Sequence, residues 1–279
     1  MDLVQLLILA IVQGVAELLP ISSSAHVIVA EKLMGLDPTA PQMTLLLVML
    51  HTGTMFAVIA HFWSSWRTTF FVSGQAFRTN AWLVAVATVA TGAVGLILLQ
   101  IIKHFVAGGA PSFEIEHLFG NSRLMAAALA AAGVLIIVTS RFSRAGKNEL
   151  SLRNAAWIGA VQGLCLPFRG FSRSGATIST GLALGVERRR AEEFSFALAV
   201  VLTPAVIVKE GLRLYKTHAA GTDGVALFHL VGPSLVGMVL SFLAGLVALR
   251  WLSRWLEQGR WHFFGIYCLV ASLTVLRLG

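Results

Sequence analysis

Six apolar runs, at about 44–62, 82–102, 123–140, 194–213, 227–249 and 261–277, lie near the ~20 residues a helix needs to cross a bilayer. Nothing else in the chain limits its fold as much. In hydrocarbon every backbone N–H and C=O must find a partner inside the protein, so only helices and closed barrels span. The chain is 57% hydrophobic and 12% charged over 279 residues, against roughly a quarter charged in soluble domains. No linker or low-complexity run divides it. The expectation is an all-α polytopic membrane protein with a single membrane domain over residues 1–279.

The formal charge of +8 does not mark a nucleic-acid binder, because the basic residues fall in short gaps between apolar runs. No nucleic-acid partner is expected; membrane lipids are. Cys165 and Cys268 lie within apolar sequence and read as small buried hydrophobes rather than a disulfide or a metal pair.

Two further segments are apolar but interrupted. Residues 2–34 are broken at Pro20 and Ser22-Ser23-Ser24, and residues 154–186 at Pro167 to Ser174. The arm after each break is about a dozen residues, too short to span, which predicts two re-entrant helix pairs. Irregular backbone at that depth survives only against protein or a wet cavity. The two segments also resemble each other. Ile11-Val12-Gln13-Gly14-Val15 matches Ala160-Val161-Gln162-Gly163-Leu164, and each is followed by a proline, a serine cluster, a short arm and three spans. Repeat 1 covers about 1–140 and repeat 2 about 154–279. Re-entrant loops return to the face they left, so three spans per repeat invert the second copy. Broken helices in an inverted repeat point to a site near the midplane where the halves meet.

Twelve basic residues, among them Arg67, Arg141, Arg144, Lys147 and Arg188-Arg189-Arg190, fall on one face; six, among them Lys103, Arg123, Arg213 and Lys216, fall on the other. The richer face is expected to be cytoplasmic, with both termini outside and the site opening to the outer face.

Ionisable residues within apolar sequence invite a functional reading. Gln13 and Glu17 are four apart and share a helix face. Ser22, Ser23 and Ser24 suit a helix N-cap, directing free N–H groups and the positive dipole end at the break, a natural anion site. Ser23 and His26, three apart, are expected to face one another as a hydroxyl beside an imidazole, the minimal activated nucleophile. The second break repeats the design in Ser172-Arg173-Ser174-Gly175-Ala176-Thr177, adding a guanidinium fork for phosphate oxygens and a glycine for close backbone approach. Arg169 lies four residues before Arg173 in the same break. Together these describe a phosphate-ester site. Plainer readings stand beside it: Glu17 and His26 as a structural pair, and Arg173 as a lipid-headgroup contact. His51 is alone and reads as a packing group, and Lys209-Glu210 as a snorkelling pair.

The stretch Gln13-Gly14-Val15-Ala16-Glu17-Leu18-Leu19-Pro20-Ile21-Ser22-Ser23-Ser24-Ala25-His26 resembles the first signature of the bacterial undecaprenyl-diphosphate phosphatases, the bacitracin-resistance family. Gly170-Phe171-Ser172-Arg173-Ser174-Gly175-Ala176-Thr177 resembles the second, and Glu192-Glu193-Phe194-Ser195-Phe196 the stretch that follows. The resemblance implies six spans with two re-entrant pairs in the bacterial inner membrane. It implies hydrolysis of undecaprenyl diphosphate, or a related polyprenyl diphosphate, to the monophosphate and inorganic phosphate, recycling the carrier for the cell envelope. Glu17 would be the essential carboxylate, Ser23 the nucleophile, His26 its partner and Arg173 a catalytic cation. Ser22, Ser24, Arg169, Ser172, Ser174, Gly175 and Thr177 would bind phosphate. A divalent cation, Mg²⁺ or Ca²⁺, is implied at Glu17 and Gln13; homodimerisation is left open. Three departures stand out. Position 13 is Gln, which removes one metal ligand; Ser24-Ala25 replaces the commoner Thr-Gly; and the expected Pro-Gly is opened to Pro167-Phe168-Arg169-Gly170. The alternative is a lipid-carrier flippase or secondary transporter on the same fold.

Overall fold

The computed structural model describes residues 2–37, 41–105, 121–142, 148–218 and 224–278. Arg144 and Lys147 of the expected basic face lie outside them, as do the side chains of Lys209, Glu210, Arg213 and Lys216. The described residues form ten helices: α1 (Leu3–Leu18), α2 (Ser23–Leu33), α3 (Pro41–Thr69), α4 (Gly74–Phe105), α5 (Ser122–Phe142), α6 (Leu152–Cys165), α7 (Arg173–Ala183), α8 (Arg188–His218), α9 (Gly224–Glu257) and α10 (His262–Leu278). Among them there is no strand, only an isolated bridge between Asn148 and Val186. The chain is an all-helical, polytopic membrane protein.

Four helices combine the length and hydropathy of a span: Met43–Thr69, Gly74–Phe105, Ser122–Arg141 and Val231–Glu257. The apolar runs at 194–213 and 261–277 also fold as helices, within α8 and α10, but are not among those four. α10 is 17 residues long, and α8 opens on the polar run Arg188-Arg189-Arg190-Ala191-Glu192-Glu193. Large apolar side chains face outward along α4, with Trp82 63% and Val89 72% exposed, as a lipid-facing surface requires.

Both interrupted segments fold as helix, break, helix. α1 starts on a capping box in which the Asp2 carboxylate accepts from the Gln5 backbone N–H at 2.7 Å and Gln5 Oε1 accepts from the Asp2 backbone N–H at 3.0 Å. Pro20 cannot continue that helix, and α2 begins after Ser22. α6 follows the Ser151 cap and ends at Cys165; α7 follows the Ser172 cap, whose hydroxyl accepts from the Gly175 amide at 3.2 Å. The arms α2 and α7 are each 11 residues, too short to cross a bilayer.

The packing exchanges partners between the halves. α1 lies on α9, α6 lies on α4, and α5 lies on α10. Lipid supplies no hydrophobic drive between helices, so such contacts depend on small residues that let backbones approach. Gly14 and Gly163, the matched glycines of the Gln-Gly pairs, fill this role in the same way. A Cβ on Gly14 would stand 2.7 Å from the Ser241 carbonyl of α9, and one on Gly163 2.7 Å from the Thr91 carbonyl of α4. The sequence similarity between the segments therefore coincides with an equivalent packing job.

Candidate active site

The two breaks meet. Residues from both, Glu17, Ser22, Ser23 and Ser24 on one side and Arg169, Ser172, Arg173 and Ser174 on the other, line a cavity of about 240 Å³, closed by Gln162, Cys165 and Phe168 among others. The N-termini of α2 and α7 both open at this cavity, so two positive dipole ends converge there with two arginines. Among the described residues Glu17 is the sole carboxylate on the wall. The net field favours a multiply charged anion.

Glu17 is the hub. Its Oε1 accepts from Arg173 Nη2 at 2.8 Å, an ion pair spanning 156 residues. Its Oε2 accepts from the Ser23 hydroxyl at 2.6 Å and from Gln13 Nε2 at 3.2 Å. The Glu17 side chain is 15% exposed, so the carboxylate is desolvated yet fully engaged. Gln13 and Glu17 share a face, as their spacing predicts, with the amide steadying the carboxylate.

The expected pairing of Ser23 with His26 is not formed. The Ser23 hydroxyl points to Glu17. His26 Nδ1 lies 2.7 Å from the Ser22 carbonyl, an acceptor only, so Nδ1 carries the hydrogen and donates. Its Nε2 is taken by the Tyr267 hydroxyl at 2.7 Å, and the two rings stack. Spacing puts His26 on the right helix, but the carbonyl one turn back captures the imidazole.

The phosphate-binding set divides. Ser22, Ser24, Arg169, Ser172 and Ser174 reach the cavity wall. Gly175 and Thr177 lie elsewhere. The Gly175 amide is satisfied by the Ser172 cap, and the Thr177 hydroxyl is buried against the Arg173 carbonyl (2.9 Å) and Ser195 Oγ (2.6 Å). Gly170, at φ +101, has the left-handed backbone that lets the second break turn, and its Cα face is pressed on the Met125 carbonyl of α5.

Two residues near the site are not singled out for it by sequence. His51, read as a packing group, brings Nε2 to 3.6 Å from Glu17 Oε2, while its Nδ1 donates to the Leu47 carbonyl at 2.7 Å. Tyr267 comes from the last helix. Helical spacing carries no information about either contact, because each joins helices distant in the chain.

A divalent cation fits these residues poorly as a protein-held ion. Among the described residues no three His, Cys, Asp or Glu side chains gather. The carboxylate at the cavity has both oxygens occupied by donors, and Gln13 turns its amide nitrogen toward Glu17. Hard cations take oxygen ligands, usually more than one carboxylate when the protein alone holds them.

Short helices whose ends meet inside an apolar helical bundle at an arginine-clamped carboxylate define a polytopic membrane protein with a polar pocket. The bacitracin resistance protein BacA family model matches residues 6–274. Undecaprenyl-diphosphatase 2 of Acinetobacter baylyi is 65% identical over 280 residues, covering 100% of this chain and 98% of the relative. Undecaprenyl-diphosphatase 1 of Burkholderia pseudomallei is 34% identical, covering 99% and 96% of the two chains. Undecaprenyl-diphosphatase of Rhodopirellula baltica is 30% identical, covering 99% and 98%. This chain belongs to the bacitracin resistance protein BacA family.

Proposed function

We propose that this chain is a membrane phosphatase that hydrolyses undecaprenyl diphosphate, or a related polyprenyl diphosphate, to the monophosphate and inorganic phosphate. One observation carries the reading beyond the family match: Glu17, Ser23 and Arg173, from two breaks far apart in sequence, are joined by hydrogen bonds at one cavity.

The chemistry follows from the contacts. Ser23 Oγ attacks the terminal phosphorus as its proton passes to Glu17 Oε2, 2.6 Å away. The bond from phosphorus to the bridging oxygen breaks, and the lipid monophosphate leaves. Water then attacks the phosphoserine, the bond from phosphorus to Ser23 Oγ breaks as the proton held on Glu17 returns to that oxygen, and inorganic phosphate departs carrying both hydrogens of the water. Arg173, Arg169 and the two helix ends hold the charge spread over the phosphoryl oxygens, the main demand of phosphoryl transfer. The role of base, expected at His26, falls to Glu17, because Ser23 is bonded to Glu17.

The finer architecture is part of the proposal. α1–α2 and α6–α7 are re-entrant pairs, and α3, α4, α5, α8, α9 and α10 are six spans in two inverted repeats. The reciprocal packing of α1 on α9 and α6 on α4 supports the repeat, as do the matched roles of Gly14 and Gly163. The protein sits in the inner membrane with both termini outside and the cavity open to the outer face, an orientation supported by the basic bias. The divalent cation that the resemblance implies, Mg²⁺ or Ca²⁺, would find the carboxylate of Glu17 already taken by Arg173, Ser23 and Gln13. A carrier flippase is the weaker reading, since a transporter has no need of a serine hydroxyl held by a carboxylate.

Phosphate release by purified protein in detergent, measured across lipid diphosphates of graded tail length, tests the proposal. Release is expected from the wild type, with a loss of about 10³-fold or more in Ser23→Ala on the covalent route. Lipid movement without phosphate release would overturn the assignment, and undiminished turnover in Ser23→Ala would remove the nucleophile.

A further inference from the structure

α10 reaches the first break at two adjacent residues. The Tyr267 hydroxyl meets His26 Nε2 at 2.7 Å, with ring centroids 5.6 Å apart and planes 15° from parallel. The next residue, Cys268, donates its thiol to the Pro20 carbonyl at 3.3 Å. Between those anchor points lies Ser22, held at φ +69 and ψ +97 and, among the described residues, the single non-glycine with positive φ. Such a backbone is strained for a residue with a side chain and persists only where the surroundings over-determine it. The Ser22 side chain caps no backbone amide of α2 and instead meets Ser24 Oγ at 3.3 Å. The Ser22 carbonyl accepts from the His26 amide at 3.5 Å and, more closely, from His26 Nδ1–H at 2.7 Å. With Nδ1 on that carbonyl, only Nε2 remains to fix the ring, and Tyr267 holds it.

α10 is itself well placed to bear on the break. Its Gly265 packs so closely on α5 that an added Cβ would stand 2.6 Å from the Gly133 carbonyl. α5 in turn abuts the second break through the Met125 carbonyl beneath Gly170. The helix that braces the first break is therefore seated on the helix that touches the second.

We propose that Tyr267 is a positioning residue for catalysis: acting through His26, it locks the strained Ser22 backbone and so sets the Ser23 hydroxyl on Glu17. The effect is one of geometry at the nucleophile. Tyr267 does not line the cavity, and substrate binding through Arg169 and Arg173 is untouched by it. The proposal rests on the phosphatase reading for its kinetic test and is independent of that reading for its structural one.

Tyr267→Phe keeps the ring and its stacking and removes only the hydroxyl. Phosphate release from undecaprenyl diphosphate should show kcat down about tenfold, the worth of one positioning hydrogen bond, with KM within about twofold of wild type. His26→Ala should lower kcat as well, and the double variant should be no slower than His26→Ala alone. Hydrogen–deuterium exchange on the same proteins, without substrate, should show faster exchange over residues 20–26 in Tyr267→Phe and little change in α7. Wild-type kcat in Tyr267→Phe or in His26→Ala, losses that multiply in the double variant, or unaltered exchange over residues 20–26 would each overturn the brace. A wild type that releases no phosphate would sink the functional reading while the exchange experiment still decides whether the brace exists.

Discussion

Replacing Glu17 by glutamine removes one charge and one proton acceptor while preserving the side chain's shape. Two consequences can be separated. Glu17 and Arg173 are 15% and 26% exposed, so their ion pair is partly screened, and its loss falls below the ~3–5 kcal/mol of a fully buried pair. Because the amide oxygen still accepts from Arg173, about 1–2 kcal/mol of stability is the expected cost. The catalytic loss is larger. Ser23 now faces an amide that cannot take its proton, and a positioned general base contributes roughly 10²–10⁴-fold. Phosphate release under saturating lipid diphosphate, paired with thermal unfolding in the same detergent, measures both. The expected outcome is a kcat lower by at least about 10² beside a modest loss of stability. A Glu17→Gln enzyme turning over within a few-fold of wild type would show that the carboxylate is not the base.

Arg173→Lys should raise KM and lower kcat by about tenfold or more together, since a point charge cannot span Glu17 and a phosphoryl oxygen as the fork does; unaltered kinetics would place Arg173 outside the reaction. Gly163→Ala drives a methyl against the Thr91 carbonyl and should destabilise by about 1–3 kcal/mol, with Gly14→Ala losing a similar amount at α9. Thermal unfolding of the two variants checks this, and a loss at only one position would argue against equivalent halves. Calorimetric titration of Mg²⁺ into substrate-free protein should show no saturable binding, because Glu17 is already occupied; a stoichiometric site would contradict that donor assignment.

Much of this arrangement is legible in the sequence. Pro20 and the serine clusters mark both breaks, and the arms match their expected length, since proline and N-caps act locally and tertiary packing seldom overrides them. The Gln-Gly repeat points to equivalent roles, and the glycines prove to be helix-contact points. What sequence spacing does not supply is partner choice. Ser23 has a carboxylate six residues earlier and an imidazole three residues later, and periodicity within α2 favours the imidazole. The chain reverses between α1 and α2, so the carboxylate wins. Thr177 shows the opposite error: its place beside Ser174 suggests a ligand contact, yet helix rotation turns it onto Ser195 of α8. His51 and Tyr267 become visible only when α3 and α10 close around the breaks.

The 156 residues separating Glu17 from Arg173 bear on how the protein is made. At the ribosome, the first hairpin emerges long before its guanidinium partner exists. Until translation reaches the second hairpin, Arg173 is absent, and Gln13, Ser23 and His51 of the first half are the neighbours Glu17 has to meet. The arginine clamp, and with it the complete centre, therefore arises only when both halves have closed.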